Sequence, residues 1–210
     1  MNNVEQISRK EFFNKMANQW DDKYSTRELL SFLEKFVPKF GLGSGQNILD
    51  VGTGTGILIP FLLKNIGSSG SITAIDYAEK MVENCAEKYS HLSNVTIIKQ
   101  DVENLDLAPN SFDAITCCGL FPHIEDKEKA LRRMNGVLKL GGRLIIVHAL
   151  SSLEIKNHHH KASRSVINDV LPEESVMKTL LAKSGFGGIT IEDVPGQYLC
   201  ISTKINRSQY

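Results

Sequence analysis

The residues with the clearest chemical potential lie in the short stretch DVGTGTG. Its glycines, Gly52, Gly54 and Gly56, occupy every second position after an apolar run, and Asp50 precedes the first of them by two residues. A glycine-rich turn between a strand and a helix exposes backbone amides without side chains in the way, which is typical of sites for nucleotide-like ligands. The stretch therefore predicts a ligand-binding loop.

Two further aspartates recur at positions that suit a nucleoside. Asp76 lies twenty residues beyond Gly56, at the end of the next apolar run, where an acidic side chain accepts hydrogen bonds from both ribose hydroxyls. Asp101 follows the third apolar run and is able to accept from an exocyclic amine such as that of adenine. With the glycine loop, these carboxylates predict an adenosine site. Each also has a structural alternative, which is to cap the helix that follows it.

The glycine spacing distinguishes between candidate ligands. Nicotinamide dinucleotides favour GxGxxG, but Ile57 stands where the third glycine of that pattern belongs, and no GK[ST] of a Walker loop follows. The carboxylate of Asp50 would not favour binding of an anionic pyrophosphate. In a cleft from which water is partly excluded, it attracts a cation more strongly than it would in water. S-adenosylmethionine carries both an ammonium and a sulfonium. It is therefore the favoured ligand. The alternatives are an NAD(P)-dependent oxidoreductase and a protein that binds a cofactor or metal on the same fold without catalysis.

The turns that contain the glycine loop, Asp76 and Asp101 must lie at one edge of a sheet to form a single site. Short apolar runs alternate with helical stretches from residue 47 onward, which predicts parallel strands with helices on both faces of a doubly wound sheet. The strand-like runs are NILDV, SITAID, NVTIIKQ, FDAITCC and GRLIIVHAL, followed by GITIEDV and QYLCISTKI. Only Pro195 and Gly196 separate the last two runs, so we expect an antiparallel hairpin in which the final strand runs backwards.

Helical periodicity marks most of the remaining chain. Residues 9–24 present one apolar face, formed by Phe12, Phe13, Met16 and Trp20. Thr26 is placed to cap a second helix over 27–40, and Gly185 to end the last helix. Further helices are predicted over 56–66, 78–90, 126–139 and 172–184. The segment 149–171 has no periodic pattern and is expected to be irregular.

Length and composition restrict the class of protein. The 210 residues fit one domain, and 24 Lys plus Arg balance 24 Asp plus Glu, so no overall field favours nucleic acid or an anionic membrane. No apolar stretch reaches the roughly 20 residues that a membrane span needs, and no secretory leader begins the chain. The four cysteines have no CxxC spacing and suit a reducing compartment. We expect a cytoplasmic protein with a small-molecule partner.

The motifs taken in order resemble a known family. ILDVGTGTGILIPFL, ITAIDYAEKMVENC, IIKQDVENLDLAPNSFDAITC and LRRMNGVLKLGGRLIIVHAL are similar to the motifs of class I S-adenosylmethionine-dependent methyltransferases, in the small-molecule branch that includes the ubiquinone and menaquinone type. The resemblance implies a Rossmann-like, seven-stranded sheet in which only the last strand is antiparallel. It also implies one domain over 1–210, with a helical lid over 1–44, a cofactor-binding core over 45–148, a substrate-covering segment over 149–171 and a terminal helix and hairpin.

The resemblance assigns cofactor contacts position by position. Gly52, Thr53 and Gly54 would line the methionine part, with Asp50 near its amino group, and Asp76 would hold the ribose. The adenine would be flanked by Tyr77 and Met81 and met at its edge by Asp101 and Val102. Cys117 would lie beside the sulfonium, and the lid residues Trp20 and Tyr24 would close over the cofactor. For Trp20 and Tyr24 a packing face is the equal alternative, and for Cys117 and Cys118 a role as small core residues is favoured.

Two histidines are candidates for the reaction itself. Methyl transfer from a sulfonium needs mainly alignment, but a neutral histidine near the cleft would accept a proton from the acceptor. His148 ends the fifth strand and His123 follows the fourth, where it is expected to orient the loop. His148, one residue of the run His158–His160 and Asp169 form a conceivable cluster, which would suit zinc. Solvated histidines on a helix are favoured over that reading, and no metal is expected.

Overall fold

A seven-stranded sheet forms the centre of the molecule. The computed structural model describes residues 7–162 and 165–206, so parts of the expected lid, covering segment and C-terminus lie outside the described residues. The strands are β1 (Asn47–Val51), β2 (Ser71–Asp76), β3 (Val95–Lys99), β4 (Phe112–Cys118), β5 (Leu138–His148), β6 (Phe186–Val194) and β7 (Gln197–Lys204). Their order is β3-β2-β1-β4-β5-β7-β6. The strand order reverses between β1 and β4, which is where ligands bind in open α/β sheets.

Strand direction follows the pattern in the sequence. β1 to β5 are mutually parallel, whereas β7 lies between β5 and β6 and is antiparallel to both. The tight turn at Pro195 and Gly196 explains this, because Gly196 adopts φ of 80° and so reverses the chain at once. The doubly wound sheet with a reversed last strand is confirmed.

Helices cover both faces of the sheet. They are α1 (Arg9–Met16), α2 (Trp20–Tyr24), α3 (Arg27–Phe36), α4 (Ile59–Ile66), α5 (Glu79–Tyr89), α6 (Lys127–Val137), α7 (Ser152–Ala162) and α8 (Glu174–Lys183). Adjacent residues of β5 show the result: Ile145 and Ile146 are both fully buried but belong to hydrophobic clusters on opposite faces. Within the described residues, none of these helices is long and apolar enough to cross a membrane.

The expectation of an irregular segment over 149–171 was wrong in its first half, which contains α7. Ser151 and Glu154 explain the helix, because they form a reciprocal capping box. The backbone N–H of Glu154 donates to Ser151 Oγ at 3.3 Å, and that of Ser151 donates to Glu154 Oε2 at 2.8 Å. This S-x-x-E signal was present in the sequence.

Element boundaries also differ from the predictions. The helix expected over 9–24 is interrupted by a 3₁₀ turn at Ala17–Gln19, and the helix after the glycine loop begins only at Ile59. β5 begins at Leu138, inside the range predicted as helix, because Leu138 already pairs with Phe112 of β4. In each case pairing or packing with distant residues decides the boundary.

Candidate active site

A cavity of about 530 Å³ lies at the carboxyl edge of the sheet. It is lined by the turns that follow β1 to β4, by residues 7–10 at the start of the described chain, and by the segment after α7. The residues that line the cavity include Arg9, Gly52, Asp76, Tyr77, Asp101, Val102, Leu120, His123 and Asp169. A pocket of this size at a topological switch point suits a small cofactor with its substrate.

The glycine loop is held against β2 by backbone contacts. Gly52 and Gly54 have φ of 66° and 57°, a region that residues with a Cβ rarely adopt. The N–H of Thr53 donates to the carbonyl of Ile75 at 3.0 Å, and the N–H of Gly54 donates to Asp76 Oδ2 at 3.0 Å. A side chain at Gly52 would also collide with Leu120, whose atoms lie within 3 Å of a Cβ built there. The loop therefore needs glycine on both steric and conformational grounds.

Asp76 is buried at the end of β2 and joins two turns. Its Oδ2 accepts from Gly54, and its Oδ1 accepts from the N–H of Ala78 at 2.8 Å. Burial raises the pKa of Asp76 to about 6, although these backbone hydrogen bonds act in the opposite direction. Each carboxylate oxygen keeps a second lone pair for a ligand hydroxyl. The N-cap of α5 is Ala78, without a side-chain cap, so the predicted alternative in which Asp76 caps that helix is wrong.

Asp50 and Thr53 leave polar atoms unpartnered beneath the loop. Asp50 Oδ1 accepts from Thr116 Oγ1 at 2.7 Å, whereas Asp50 Oδ2 and Thr53 Oγ1 are buried without a hydrogen-bond partner among the described residues. Burial, with a contribution from the negative charge of Asp76, raises the pKa of Asp50 to about 6. A cation with hydrogen-bond donors would satisfy such a site, because it supplies both the charge and the missing bonds.

Asp101 has the geometry of a cap and also lines the cavity. Its Oδ1 accepts from the N–H of Glu103 at 2.9 Å, and its Oδ2 accepts from Asn104 Nδ2 at 3.2 Å. It thereby caps the 3₁₀ turn Val102–Asn104. Val102 lines the same wall of the cavity. The capping alternative is present, and the contact with adenine stays a prediction.

Tyr77 and Met81 occupy different depths. Tyr77 lines the cavity, whereas Met81 is buried behind it in a small cluster with Ala17 and Ala78. Phe13 of α1 packs on Tyr77 with ring centroids 6.3 Å apart. The first turn of α5 is therefore fixed by the N-terminal helices.

The N-terminal helices contact the glycine loop directly. Asp21 of α2 accepts from Thr55 Oγ1 at 2.5 Å and pairs with Lys88, whose Nζ also donates to the carbonyl of Thr55 at 3.1 Å. Trp20 Nε1 lies 3.8 Å from where a Cβ on Gly54 would be. Tyr24 packs on Trp20, with ring centroids 4.3 Å apart, and is not among the residues that line the cavity.

Cys117 and Cys118 point to opposite faces of β4, as predicted. Cys117 is fully buried, with its Sγ 3.7 Å from Met134 Sδ, and Cys118 packs against the other hydrophobic cluster. Burial raises the pKa of both thiols far above neutrality, so they are uncharged. Neither cysteine lines the cavity, and the predicted place of Cys117 beside the sulfonium stays a prediction.

The two candidate catalytic histidines differ in surroundings. His148 is buried with its Nε2 unpartnered among the described residues and its ring 6.2 Å from that of Tyr198. Burial, together with repulsion by His123 and His159, lowers the pKa of His148 to about 3, so it is neutral. His123 lines the cavity, and its Nδ1 lies 2.7 Å from Asp169 Oδ2.

Asp169 connects residues that sequence reasoning kept apart. Arg9, which it did not single out, donates to the Asp169 carboxylate through Nε and Nη2, at 2.9 and 2.7 Å to Oδ1. His159 Nδ1 lies 2.5 Å from the backbone carbonyl of Asp169. Asp169 thus contacts His123 and His159, whereas His148, which the prediction placed in this cluster, packs on Tyr198. Among the described residues, no three His, Cys, Asp or Glu residues could hold a metal ion.

Comparisons with known proteins find similarity to methyltransferases. The family model described as "Methyltransferase domain" matches residues 49–146. The demethylmenaquinone methyltransferase of Staphylococcus aureus (strain MRSA252) is 32% identical over 149 residues, which cover 68% of this chain and 60% of that protein. The ubiquinone/menaquinone biosynthesis C-methyltransferase UbiE of Escherichia coli O1:K1 / APEC is 28% identical over 208 residues, covering 84% of this chain and 82% of that protein.

A solved structure of a SAM-dependent methyltransferase from Aquifex aeolicus superimposes with a TM-score of 0.70 at 24% identity, covering 95% of this chain and all of that one. It is a match of fold. The family model and the two relatives identify the chain as a class I S-adenosylmethionine-dependent methyltransferase, and the solved structure has the same fold. Within that class it is similar to the ubiquinone and menaquinone enzymes, and its cofactor is S-adenosylmethionine.

Proposed function

We propose that this enzyme methylates a ring carbon of a small aromatic acceptor that carries an ionisable hydroxyl, such as the reduced form of a quinone. The cavity supports this because it combines an apolar wall, including Leu120 and Ile124, with His123 as a proton acceptor. The names of the relatives support it as well, since they describe C-methyl transfer and a demethylated menaquinone. The family match favours methyl transfer over the nicotinamide-dependent alternative.

The chemistry of the cofactor requires an electron-rich acceptor. The sulfonium of S-adenosylmethionine supplies a methyl group that is already electrophilic. The acceptor carbon forms a bond to that methyl while the bond from methyl to sulfur breaks and its electron pair stays on sulfur. The same carbon then loses its hydrogen as a proton while the ring oxygen takes one up, which restores the aromatic ring and leaves one proton on the base. A reduced, hydroxyl-bearing ring provides the electrons once its hydroxyl loses a proton, whereas an oxidised quinone does not. The residues of the chain must therefore align the acceptor, exclude water and accept a proton.

We assign proton acceptance to His123 in preference to His148. His123 lines the cavity, and with Nδ1 engaged by Asp169 its Nε2 remains for the acceptor hydroxyl. His148 is buried and strongly disfavours the protonated form, so it would resist taking up the proton. His148 instead packs on Tyr198, with ring centroids 6.2 Å apart.

For the cofactor, the arrangement supports the roles predicted from the resemblance. Asp50 Oδ2 and Thr53 Oγ1 offer unsatisfied acceptors to the ammonium, and Gly52 and Gly54 leave room for the methionine part. Asp76 would hold the ribose. Tyr77, Asp101 and Val102, which line the cavity, would surround the adenine, with Met81 behind them. Tyr24 and Cys117 do not line the cavity, so their roles in the lid and beside the sulfonium rest on the resemblance alone.

We also infer that the protein acts on free small molecules in the cytoplasm and not on nucleic acid. The charge of the chain is balanced, and each of its four cysteines is a free thiol, which suits a reducing compartment.

The test is transfer of isotopically labelled methyl from S-adenosylmethionine to a panel of paired acceptors, each offered in oxidised and reduced form. We expect label on a ring carbon of reduced acceptors, with His123→Gln lowering turnover about 100-fold and a chelator having no effect. Equal labelling of oxidised acceptors, or label on oxygen alone, would contradict the proposed acceptor class. Titration with S-adenosylhomocysteine and NADH separately distinguishes the two cofactors.

A further inference from the structure

Asp169 is the most highly connected carboxylate on the cavity wall. Its side chain is 1% exposed, and it accepts hydrogen bonds from Arg9 and from His123. Its backbone carbonyl is in contact with the ring of His159, so one residue contacts two imidazoles. The three elements involved are α1, the turn after β4 and α7, which come together only in the folded protein.

The chemistry of a carboxylate fixes the proton on His123. Burial acts to raise the pKa of Asp169, but the hydrogen bonds from His123 and Arg9 outweigh it and hold that pKa below its ordinary value. An ionised carboxylate is only an acceptor, so His123 Nδ1 must carry the proton that is shared with Asp169. A neutral His123 then has its lone pair on Nε2. The same reasoning places a proton on His159 Nδ1, because a carbonyl also only accepts.

Arg9 changes what Asp169 does to its histidine. An isolated carboxylate beside an imidazole stabilises the imidazolium over the neutral ring. Here the guanidinium of Arg9 makes three hydrogen bonds to the same carboxylate, at 2.7 to 3.0 Å, and compensates its charge. His123 is therefore oriented by a carboxylate whose field is largely cancelled.

We propose that Asp169 is a positioning residue for methyl transfer, which fixes His123 with its proton on Nδ1 and its lone pair on Nε2, and that Arg9 holds Asp169 in place and compensates its charge. This inference rests on the proposed function, in which His123 accepts the acceptor's proton. After that transfer the positive imidazolium would be stabilised by the same carboxylate.

The backbone around His123 supports a fixed orientation. The N–H of His123 donates to the carbonyl of Leu120 at 2.8 Å, and Lys127 Nζ donates to the carbonyls of Pro122 and Ile124 at 3.2 and 2.7 Å. Phe13 packs against the ring from α1, with centroids 5.2 Å apart. The titratable or charged groups around His123 and its partners are Arg9, Tyr77, Glu125, Lys127, His148, His159 and Asp169.

Two variants that break the same ion pair test the proposal because they change the charge near His123 in opposite directions. Asp169→Asn removes the carboxylate, so we expect kcat to fall about tenfold or more and the acidic limb of the pH profile to move to lower pH. Arg9→Gln leaves the carboxylate uncompensated, so we expect that limb to move about one unit to higher pH, with kcat recovering at alkaline pH. Lys15→Gln, which removes an exposed ion pair from the same helix, is the matched control.

A purely structural role for the ion pair gives a different result. Both variants would then lose thermal stability to a similar extent, and their pH profiles would coincide with that of the unmodified enzyme. That outcome would overturn the proposal. Affinity for S-adenosylhomocysteine, measured on both variants, shows whether each still folds around its cofactor.

A second measurement needs no acceptor. Nitrogen-15 NMR of the complex with S-adenosylhomocysteine reports the tautomer and titration of each histidine, and His123→Gln assigns the signal. We expect the proton on Nδ1 of His123, with its titration moving down in Asp169→Asn and up in Arg9→Gln. A proton on Nε2 of the neutral ring would refute the inference. If no acceptor in the panel were methylated, the proposed function would be wrong. The NMR signals of His123 in the two variants would still test whether Asp169 positions that histidine.

Discussion

At the residue scale, two buried carboxylates hold the site in an electrostatically unfavourable state without its ligand. Asp50 and Asp76 are almost fully buried, and burial raises the pKa of each to about 6. Neither carboxylate has a cation as a partner, and Asp50 Oδ2 has no hydrogen bond among the described residues. A positively charged ligand would relieve this penalty, so part of the cofactor's binding free energy is already prepared in the folded protein.

Replacing Asp76 tests the assignment of the ribose. Asp76→Ala should weaken binding of S-adenosylhomocysteine by about 2 to 3 kcal/mol, because it removes a pair of charge-assisted hydrogen bonds. Asp76→Asn should cause a smaller loss, since it preserves the shape of the turn. Calorimetric titration measures both, with the exposed Asp106→Ala as the control. Unchanged affinity in Asp76→Ala would place the ribose elsewhere.

Asp50→Asn should make the empty protein more stable and the binding site weaker. Because the folded-state pKa of Asp50 is about 6 and its ordinary value is 3.8, the folded protein takes up protons as pH falls through this window. The contribution of Asp50 to the free energy of unfolding is therefore greatest below pH 4 and declines as pH rises to 6. Asn avoids the penalty, so we expect about 2 kcal/mol more stability at pH 7.5 and little difference at pH 4.

Urea denaturation at the two pH values measures this change, and calorimetry should give about tenfold weaker binding of S-adenosylmethionine by Asp50→Asn. Destabilisation at pH 7.5 with unchanged affinity would mean that Asp50 serves the fold alone.

At the scale of elements, the N-terminal helices and the glycine loop form one contact unit. Asp21 of α2 accepts from Thr55 in the loop and pairs with Lys88 of α5, while Asn14 accepts from the N–H of Lys80 at 3.0 Å. The short α2 has little stability of its own, because helices well under 12 residues are marginal in water. Its position therefore depends on these tertiary contacts.

Asp21→Asn should loosen α2 from the loop and speed release of the cofactor. The variant weakens a charge-assisted contact with Lys88, so we expect about a five- to tenfold faster dissociation of S-adenosylhomocysteine. The single tryptophan of the chain, Trp20, lies beside the loop and allows stopped-flow fluorescence to follow it. The neighbouring exposed Asp22→Asn is the matched control. Equal rates in the two variants would show that α2 does not retain the cofactor.

At the scale of the whole molecule, stability comes from two hydrophobic layers separated by the sheet. One layer lies under α6 and α8 and includes Ile146, and the other lies under α3 and α4 and includes Ile145. Adjacent residues of one strand reach both layers because side chains alternate across a sheet.

Ile145→Ala and Ile146→Ala should therefore be similarly destabilising, each by about 2 to 5 kcal/mol, because both leave a cavity in a closed core. Leu140→Ala should change stability by less than about 0.5 kcal/mol, since Leu140 is 65% exposed on the same strand. Chemical denaturation measures all three. A strong effect from only one of the two isoleucines would indicate that one face of the sheet is poorly covered.

The sequence by itself determined the strand runs, the reversed last strand and the position of the glycine loop, Asp76 and Asp101 at one edge of the sheet. These features are local: Gly52, Gly54, Asp76 and Asp101 follow strands directly, and parallel strands bring their carboxyl ends to one edge whatever the details of packing. The capping box of Ser151 and Glu154 was also local and could have been found.

The acceptor side was decided only by the tertiary structure. Arg9 and Asp169 are 160 residues apart, and neither has a spacing relation to His123. Likewise, the alternation of β5 placed His148 inside the core, where burial removes its value as a base. Contacts between distant segments depend on where the helices pack on the sheet. The free energy of that packing is a sum over many small contacts. No short stretch of sequence reports these packing terms. The glycine loop could therefore be found from the sequence, whereas the contacts of Asp169 with Arg9 and His123 could not.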